Sequence, residues 1–289
     1  MKRFLLILAV TAALFSAVFI YRKSSEIPVG TDGLYVHFID VGQGDCELVI
    51  CGDKTMLIDC GEESQAARVI SYLRNLHIKK LDYIIATHPH SDHMGGMYRI
   101  IENFYVDEIY FPDVPNKDIP TQQFFMKFLD ACDTYGVKLK QAKIGGKISL
   151  GDAKAKFIAP CRNQYENMND YSAAVILKYG KTSFFMGGDA ETESENDMLM
   201  SGKLEKVNVY KASHHGSDSS GSKDFLNVLK PDAVVISCGA DNPYGHPSAK
   251  ALRRIKKHTD NIYRTDICGD ITAYSDGNEI SFTFQRESR

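Results

Sequence analysis

Three imidazoles and a carboxylate fall within six consecutive residues: His88, His90, Asp92 and His93, in the run Thr87-His88-Pro89-His90-Ser91-Asp92-His93. Neutral imidazole nitrogens and carboxylate oxygens are donors that zinc favours. Burying so many of them together is costly unless something binds them. The run follows the apolar segment Leu81–Thr87, which reads as a strand. Residues two apart on an extended backbone face the same way, so His88 and His90 share a side. The turn at Ser91-Asp92 then brings Asp92 and His93 back to that place. Donors grouped this closely suit two metal ions a few ångströms apart. A polar surface turn is the competing reading, and the spacing at a strand end weighs against it.

Further along the chain, other residues of the same chemistry sit at strand ends. Asp189 follows Gly187-Gly188 after the strand Thr182–Met186. Glycines there permit close backbone approach, and the carboxylate could bridge two metals or cap the next helix. His214-His215 end the strand Val207–Ala212. Neighbouring side chains there face opposite ways, so one can ligate while the other contacts substrate. His246 lies in a Pro/Gly loop after the strand Ala233–Ser237, as a ligand, an acid or an ordinary loop histidine. Asp40, Gln43 and Asp45 form a Gly-containing polar loop that either lines a site or makes a turn.

These positions need a scaffold, and the hydrophobic pattern supplies one. Leu34–Val41, Glu47–Ile50, Thr55–Asp59, Leu81–Thr87 and Val106–Phe111 read as strands. Ala66–Leu76, Gly95–Phe104 and Thr121–Tyr135 have helical spacing. The second half offers strands Ala155–Ala159, Ala173–Tyr179, Thr182–Met186, Val207–Ala212 and Ala233–Ser237, with helices Thr192–Ser201, Ser222–Leu229 and Ser248–Lys257. Strands Ile262–Arg264, Ile271–Tyr274 and Ile280–Phe284 close the chain. Two β-rich halves with helices and no Pro/Ser-rich break predict two packed sheets with helices outside, an α+β chain.

The N-terminus reads differently. Lys2-Arg3 precede an apolar run from Phe4 to Tyr21, and Arg22-Lys23 close it. Such a run is near the minimum for a spanning helix. It lacks a small-x-small cleavage pattern, so an uncleaved signal-anchor is favoured over a cleaved signal peptide. The predicted organisation is 1–25 leader, 26–32 linker and 33–289 body. The expected placement is a membrane-anchored body outside the cytoplasm, or a secreted one if the leader is cut. The first 25 residues carry four cations and no acid, which leaves the body with 30 cations against 37 acids, a net charge of −7. That excludes a basic nucleic-acid coat protein. Charged residues at 25% and hydrophobic ones at 44% exclude wholesale disorder. Seven cysteines without a C-x-x-C pair allow one or two disulfides but no disulfide scaffold.

The motif His88–His93 resembles the metal-binding signature of the metallo-β-lactamase-fold hydrolases. His37-Phe38-Ile39-Asp40-Val41-Gly42-Gln43-Gly44-Asp45, Leu57-Ile58-Asp59-Cys60-Gly61, Gly187-Gly188-Asp189-Ala190-Glu191, His214-His215-Gly216-Ser217 and Tyr244-Gly245-His246-Pro247 follow in order. Together they resemble the hydrolase domain of ComEC-type DNA-uptake proteins, with the phosphorylcholine esterases of bacterial cell walls as relatives. The resemblance covers about residues 33–285. It implies a four-layer αββα sandwich with metals at one edge of the sheets. It implies His88, His90, Asp92, His93, Asp189 and His215 as ligands of two divalent ions, zinc first and manganese second. Asp92, His214 and His246 are the catalytic candidates, and Asp59 would orient the metal loop by hydrogen bonds. The chain departs from the pattern in one respect: no histidine lies between His93 and His214. Asn167–Ser172 stands in the relevant place, where Asn169 or Asp170 could supply oxygen.

The implied activity is hydrolysis by a metal-activated hydroxide, with a phosphodiester as leading substrate, either single-stranded DNA or a cell-wall polymer. Arg253-Arg254 and Lys256-Lys257 after His246, and Tyr171, Tyr244 and Tyr263, could contact a nucleic acid, although a solvated face explains the cations equally. Hydrolysis of phosphorylcholine-type surface esters, or of lactams and thioesters, is the alternative. A non-catalytic metal-binding component of a DNA-uptake system is the second alternative.

Overall fold

The computed structural model describes residues 32–115, 119 and 121–286. The predicted leader and all but the last residue of the predicted linker lie outside the described residues. Among the described residues, no helix is long and apolar enough to cross a membrane.

Strands β1 (Leu34–Phe38), β2 (Glu47–Cys51), β3 (Lys54–Ile58), β4 (Lys80–Ile85), β5 (Tyr105–Pro112) and β6 (Lys138–Ala142) belong to one sheet. Strands β7 (Lys147–Leu150), β8 (Ala153–Phe157), β9 (Val175–Tyr179), β10 (Thr182–Met186), β11 (Val209–Lys211), β12 (Ala233–Ile236) and β13 (Ile262–Arg264) form the other in unbroken spatial sequence. The halves are not wholly separate, however. The closing hairpin, β14 (Ile271–Ser275) and β15 (Ile280–Phe284), returns to the first sheet, where β14 pairs antiparallel with β1 in the register Val36↔Ala273.

The pleat explains the layering. In β1, Leu34, Val36 and Phe38 point into the core between the sheets, while Tyr35 points outward to the first helical layer. In β10, Phe184 and Met186 point between the sheets, and Phe185 points to the second helical layer. Both faces of these strands are buried, which is why they read as continuous apolar runs. Helices α1 (Ala66–Asn75), α2 (Ser91–Met94), α3 (Met97–Asn103) and α4 (Gln123–Thr134) cover the first sheet. Helices α5 (Thr192–Met200), α6 (Lys223–Leu229) and α7 (Ala249–Ile255) cover the second, and the short α8 (Thr265–Cys268) precedes the closing hairpin. The order is therefore helix, sheet, sheet, helix, as predicted.

Two strands have no counterpart in the sequence reading. Most of β6 is exposed, and β7 alternates exposed and buried residues over only four positions. All seven cysteines are free thiols, six of them buried, so the allowed disulfides do not form.

Phe184 is fully buried between the sheets. Phe184→Ala is expected to lower unfolding stability by about 3–5 kcal/mol through lost burial and the cavity left behind, as read by urea denaturation of the full chain.

Candidate metal centre

The parallel strands of both sheets, β3-β4-β5-β6 and β10-β11-β12-β13, end on the same side. Open parallel sheets present ligand sites at such carboxyl ends. Asp59 follows β3, the His88–His93 loop follows β4, Asp189 follows β10 and His214-His215 follow β11. One seam between the sheets therefore gathers most of the candidate residues.

Close backbone approach makes the seam possible. Gly188 has φ +52°, and a Cβ there would lie 2.7 Å from Thr87 Oγ1. Gly44 has φ +136°, and a Cβ there would lie 2.3 Å from the carbonyl oxygen of Asp92. Side chains are excluded at both positions.

Asp189 is the hub. Its Oδ1 lies 3.2 Å from His93 Nε2, and its Oδ2 lies 3.5, 3.7 and 3.9 Å from Nε2 of His215, His214 and His88. Asp92 Oδ2 is 3.3 Å from His215 Nε2 and 3.9 Å from His93 Nε2. Donor atoms of Asp92, His93, Asp189 and His215 all lie within 4.8 Å of one another. Asp189 does not cap the helix after it. Asp170 does that work from another loop, its Oδ1 accepting from Glu191 N–H at 2.9 Å and Ser194 N–H at 3.1 Å.

Each imidazole is aimed by its far nitrogen. Asp59 Oδ2 accepts from His93 Nδ1 at 2.7 Å and from the Thr87 hydroxyl at 2.6 Å, while its Oδ1 accepts from Thr87 N–H at 2.8 Å. His215 Nδ1 donates to the Ser237 carbonyl at 3.1 Å and lies 3.2 Å from Asp45 Oδ1. A carbonyl can only accept, so Nδ1 carries a proton and Nε2 is the nitrogen left to face the cluster. His214 Nδ1 lies 2.9 Å from Glu191 Oε1, which also accepts from Asn169 Nδ2 at 2.8 Å. His88 Nδ1 meets Thr87 Oγ1 at 3.1 Å and Ser172 Oγ at 3.3 Å, and its Nε2 faces His90 Nδ1 at 3.0 Å.

These atoms fit a bound cation. His93 Nε2, His215 Nε2 and Asp189 Oδ1 are buried and make no hydrogen bond, although they converge on one another. Orphaned buried polar atoms are rare and call for a partner. Two nitrogens and a carboxylate oxygen converging without bonds among themselves are the donors a divalent ion takes.

Electrostatics divides the histidines. Burial opposes charge on His93 and His215, yet neighbouring carboxylates hold both well above the ordinary imidazole pKa: Asp189, Asp92 and Asp59 at His93, and Asp189 and Asp45 at His215. Burial dominates at His88, which falls well below it, and at His246, which falls to about 4. Burial raises the carboxyl pKa of Asp189, but His215 and His93 overcome it and leave that carboxyl well below its usual range.

A cleft of about 310 Å³ opens over the cluster, lined among others by Gln43, Gln122, Asn169, Tyr244 and His246. The His246 ring lies 5.2 Å from that of His214. The structure thus brings together His88, His90, Asp92, His93, Asp189, His214, His215 and His246.

Several other expectations are corrected. Tyr171 is buried, with its hydroxyl accepting from Tyr165 N–H at 2.9 Å, and Tyr263 packs against Phe282 and Phe284. Of the three tyrosines only Tyr244, 68% exposed and stacked on His246, borders the cleft. Arg254 is held by Asp218 and by the carbonyls of Asp218, Ser220 and Gly221. Asp170 is occupied by its helix cap, whereas Asn169 borders the cleft with a buried, unpartnered Oδ1. The Asp40 loop divides: Asp40 pairs with Arg286, Gln43 lines the cleft, and Asp45 lies beneath it. The roles of Glu191, Lys211 and Ser172 are absent from the sequence reading. The only signals were a carboxylate and a cation at strand ends for Glu191 and Lys211, and for Ser172 its place in the segment Asn167–Ser172.

Residues 39–128 match the metallo-beta-lactamase superfamily. The chain is 29% identical over 254 residues to ComE operon protein 3 of Bacillus subtilis, covering 82% of this chain and 32% of that protein. It is 25% identical over 242 residues to Recombination protein 2 of Haemophilus influenzae, covering 82% and 28%. The chain thus spans about a third of the length of the curated relatives it matches. Its fold is similar to that of CmlA, a diiron β-hydroxylase from Streptomyces venezuelae, with a TM-score of 0.58 at 13% identity, covering 84% of this chain and 54% of that one.

The raised pKa values of His93 and His215 mean that their charged forms stabilise the metal-free protein below the unfolded histidine pKa of about 6.5, and that this is lost as pH rises through the folded values. The lowered values of His88 and His246 act oppositely, costing stability as pH falls below about 6.5. Chelator-treated protein should therefore melt highest near neutrality. Metal needs neutral imidazoles, so its stabilising increment should grow with pH. Calorimetric melting from pH 5 to 9, with and without zinc, checks both slopes.

Proposed function

We propose, from the match of residues 39–128 to the metallo-beta-lactamase superfamily, that the chain is a metal-dependent hydrolase of phosphodiesters, acting as a phosphodiesterase or nuclease. The convergence of Asp92, His93, Asp189 and His215 on one point carries this reading. His88, His90, Asp92, His93, Asp189 and His215 would hold two divalent ions, zinc first and manganese second. Such ions lower the pKa of bound water towards neutrality and polarise a phosphoryl oxygen.

The chain's own residues supply the rest. Asp59 and the Ser237 carbonyl fix which nitrogens of His93 and His215 face inward. His214, aimed by Glu191, offers its Nε2 to the charge that develops on the transferring group or to the leaving oxygen. His246 stands beside it at the cleft wall. Tyr244 presents an aromatic face on which a base could stack. The name of one relative, a recombination protein, supports a nucleic-acid phosphodiester, with single-stranded DNA first and a cell-wall phosphodiester polymer second. The apolar run Phe4–Tyr21 supports a membrane-anchored enzyme facing outward.

The test is hydrolysis of bis(p-nitrophenyl) phosphate by the full chain loaded with zinc or manganese. Metal-dependent turnover should fall by roughly three orders of magnitude in Asp92→Ala, since metal-assisted charge stabilisation is worth several kcal/mol. No turnover in a folded, metal-loaded sample would sink the phosphodiester reading and direct attention to lactams and thioesters.

A further inference from the structure

Beneath the cleft lies a buried cation that no step above uses. Lys211, the last residue of β11, is only 1% exposed. Its Nζ donates to Asp45 Oδ2 at 2.5 Å and to the Ala212 carbonyl at 3.1 Å. Asp45 belongs to the loop between β1 and β2 in the opposite sheet. Its other oxygen, Oδ1, lies 3.2 Å from His215 Nδ1. Its N–H donates to the Asp92 carbonyl at 3.2 Å, and its carbonyl accepts from Gly61 N–H at 2.9 Å. Glu47, two residues on, is buried with Oε1 unpartnered.

We propose that the Asp45–Lys211 pair is a positioning device that spans the two sheets and fixes His215 and Asp92 relative to each other for metal binding. The reasoning is geometric. His215 comes from the second sheet and Asp92 from the first, and Asp45 touches both. One carboxylate oxygen, Oδ1, lies 3.2 Å from the imidazole nitrogen that faces away from the cleft, an ion-pair contact without a hydrogen bond, and the backbone N–H hydrogen-bonds the loop that carries Asp92. Lys211 anchors the second oxygen, so the carboxylate plane cannot swing away from His215. Lys211 also belongs to the strand leading into His214-His215 and holds the Ala212 carbonyl at the start of that turn. A lysine doing nothing but filling a core would be replaceable by a methionine of similar length, because buried ion pairs are often no more stabilising than well-packed apolar substitutes. Outer groups that orient a ligating imidazole typically change metal affinity 10–100-fold when removed.

This inference rests on the proposed metal site but not on the reaction it catalyses. Its test is a cycle of full-chain variants: Asp45→Asn, Lys211→Met and the double variant. The readouts are the melting temperature of chelator-treated protein, zinc dissociation constants by chelator competition, and the visible spectrum of the cobalt-loaded protein. Lys211→Met leaves Asp45 buried without its partner and should lower the melting temperature by roughly 10 °C. The double variant removes both charges and should recover most of that loss. Its zinc affinity should nevertheless stay about 10–100-fold weaker for one of the two ions, with a shifted cobalt spectrum. Parental zinc affinity and cobalt spectrum in the double variant would overturn the inference and leave a plain structural ion pair. Failure of the parent chain to bind any metal would overturn the metal site itself. Metal binding without phosphodiester turnover would overturn only the reaction.

Discussion

The Asp189 carboxylate is the constraint around which this molecule is organised. It is 2% exposed, and four imidazoles lie within 4 Å of it. Burying an isolated carboxylate is very costly, so the surroundings must compensate the charge. In the metal-free protein, His93 and His215 do so by holding protons, which explains why their basicity rises despite complete burial. The same two residues leave their inward nitrogens without hydrogen-bond partners. A divalent cation placed there would replace the protons with a fixed charge, and this connects the electrostatics to the proposed chemistry.

The backbone yields to that demand at three places. Asp59, His214 and His215 all adopt positive φ, at 54°, 49° and 54°. This region is sparsely populated for residues with a side chain, and such conformations persist only where the surroundings over-determine them. Here Asp59 is held by Thr87 and His93. His215 is held by Ser237 and Asp45. Two successive left-handed residues also turn His214 and His215 to different partners. His215 faces the buried acids, and His214 faces Glu191 at the cleft wall.

The parts of this arrangement legible in the sequence were those governed by local rules. The His88–His93 spacing, its place after an apolar strand and the alternation of buried residues gave the layers and most of the cluster. Long-range pairing was not legible. Nothing local says that Ile271–Ser275 returns to pair with Leu34–Phe38, because that register joins strands more than 230 residues apart. Strand β6 escaped because an exposed edge rich in lysine lacks the buried-face alternation that marks a strand. Tyr171 and Asp170 carry suitable chemistry for a site, but the Asn167–Ser172 loop turns them into a core cluster and onto a helix N-terminus. Sequence shows which side chains could act, and only the tertiary contacts show which are already engaged.

The missing histidine between His93 and His214 acquires a physical meaning in this light. Where the segment 167–172 reaches the centre, it offers Ser172 Oγ, within 3.3 Å of His88 Nδ1 and accepting from Asp189 N–H at 3.1 Å. That segment therefore stiffens two candidate ligands instead of contributing an imidazole. The centre becomes unequal as a result. On one side, Asp92, His93, Asp189 and His215 are anchored from behind by Asp59, Asp45 and Ser237. On the other, His88 and His90 face each other at 3.0 Å, with His90 only partly buried and Asn169 offering a neutral, unpartnered oxygen. In the proposed two-metal reading, the first position would be rigid and tightly held. The second, with His90 only partly buried and no carboxylate behind His88 or His90, would exchange more readily.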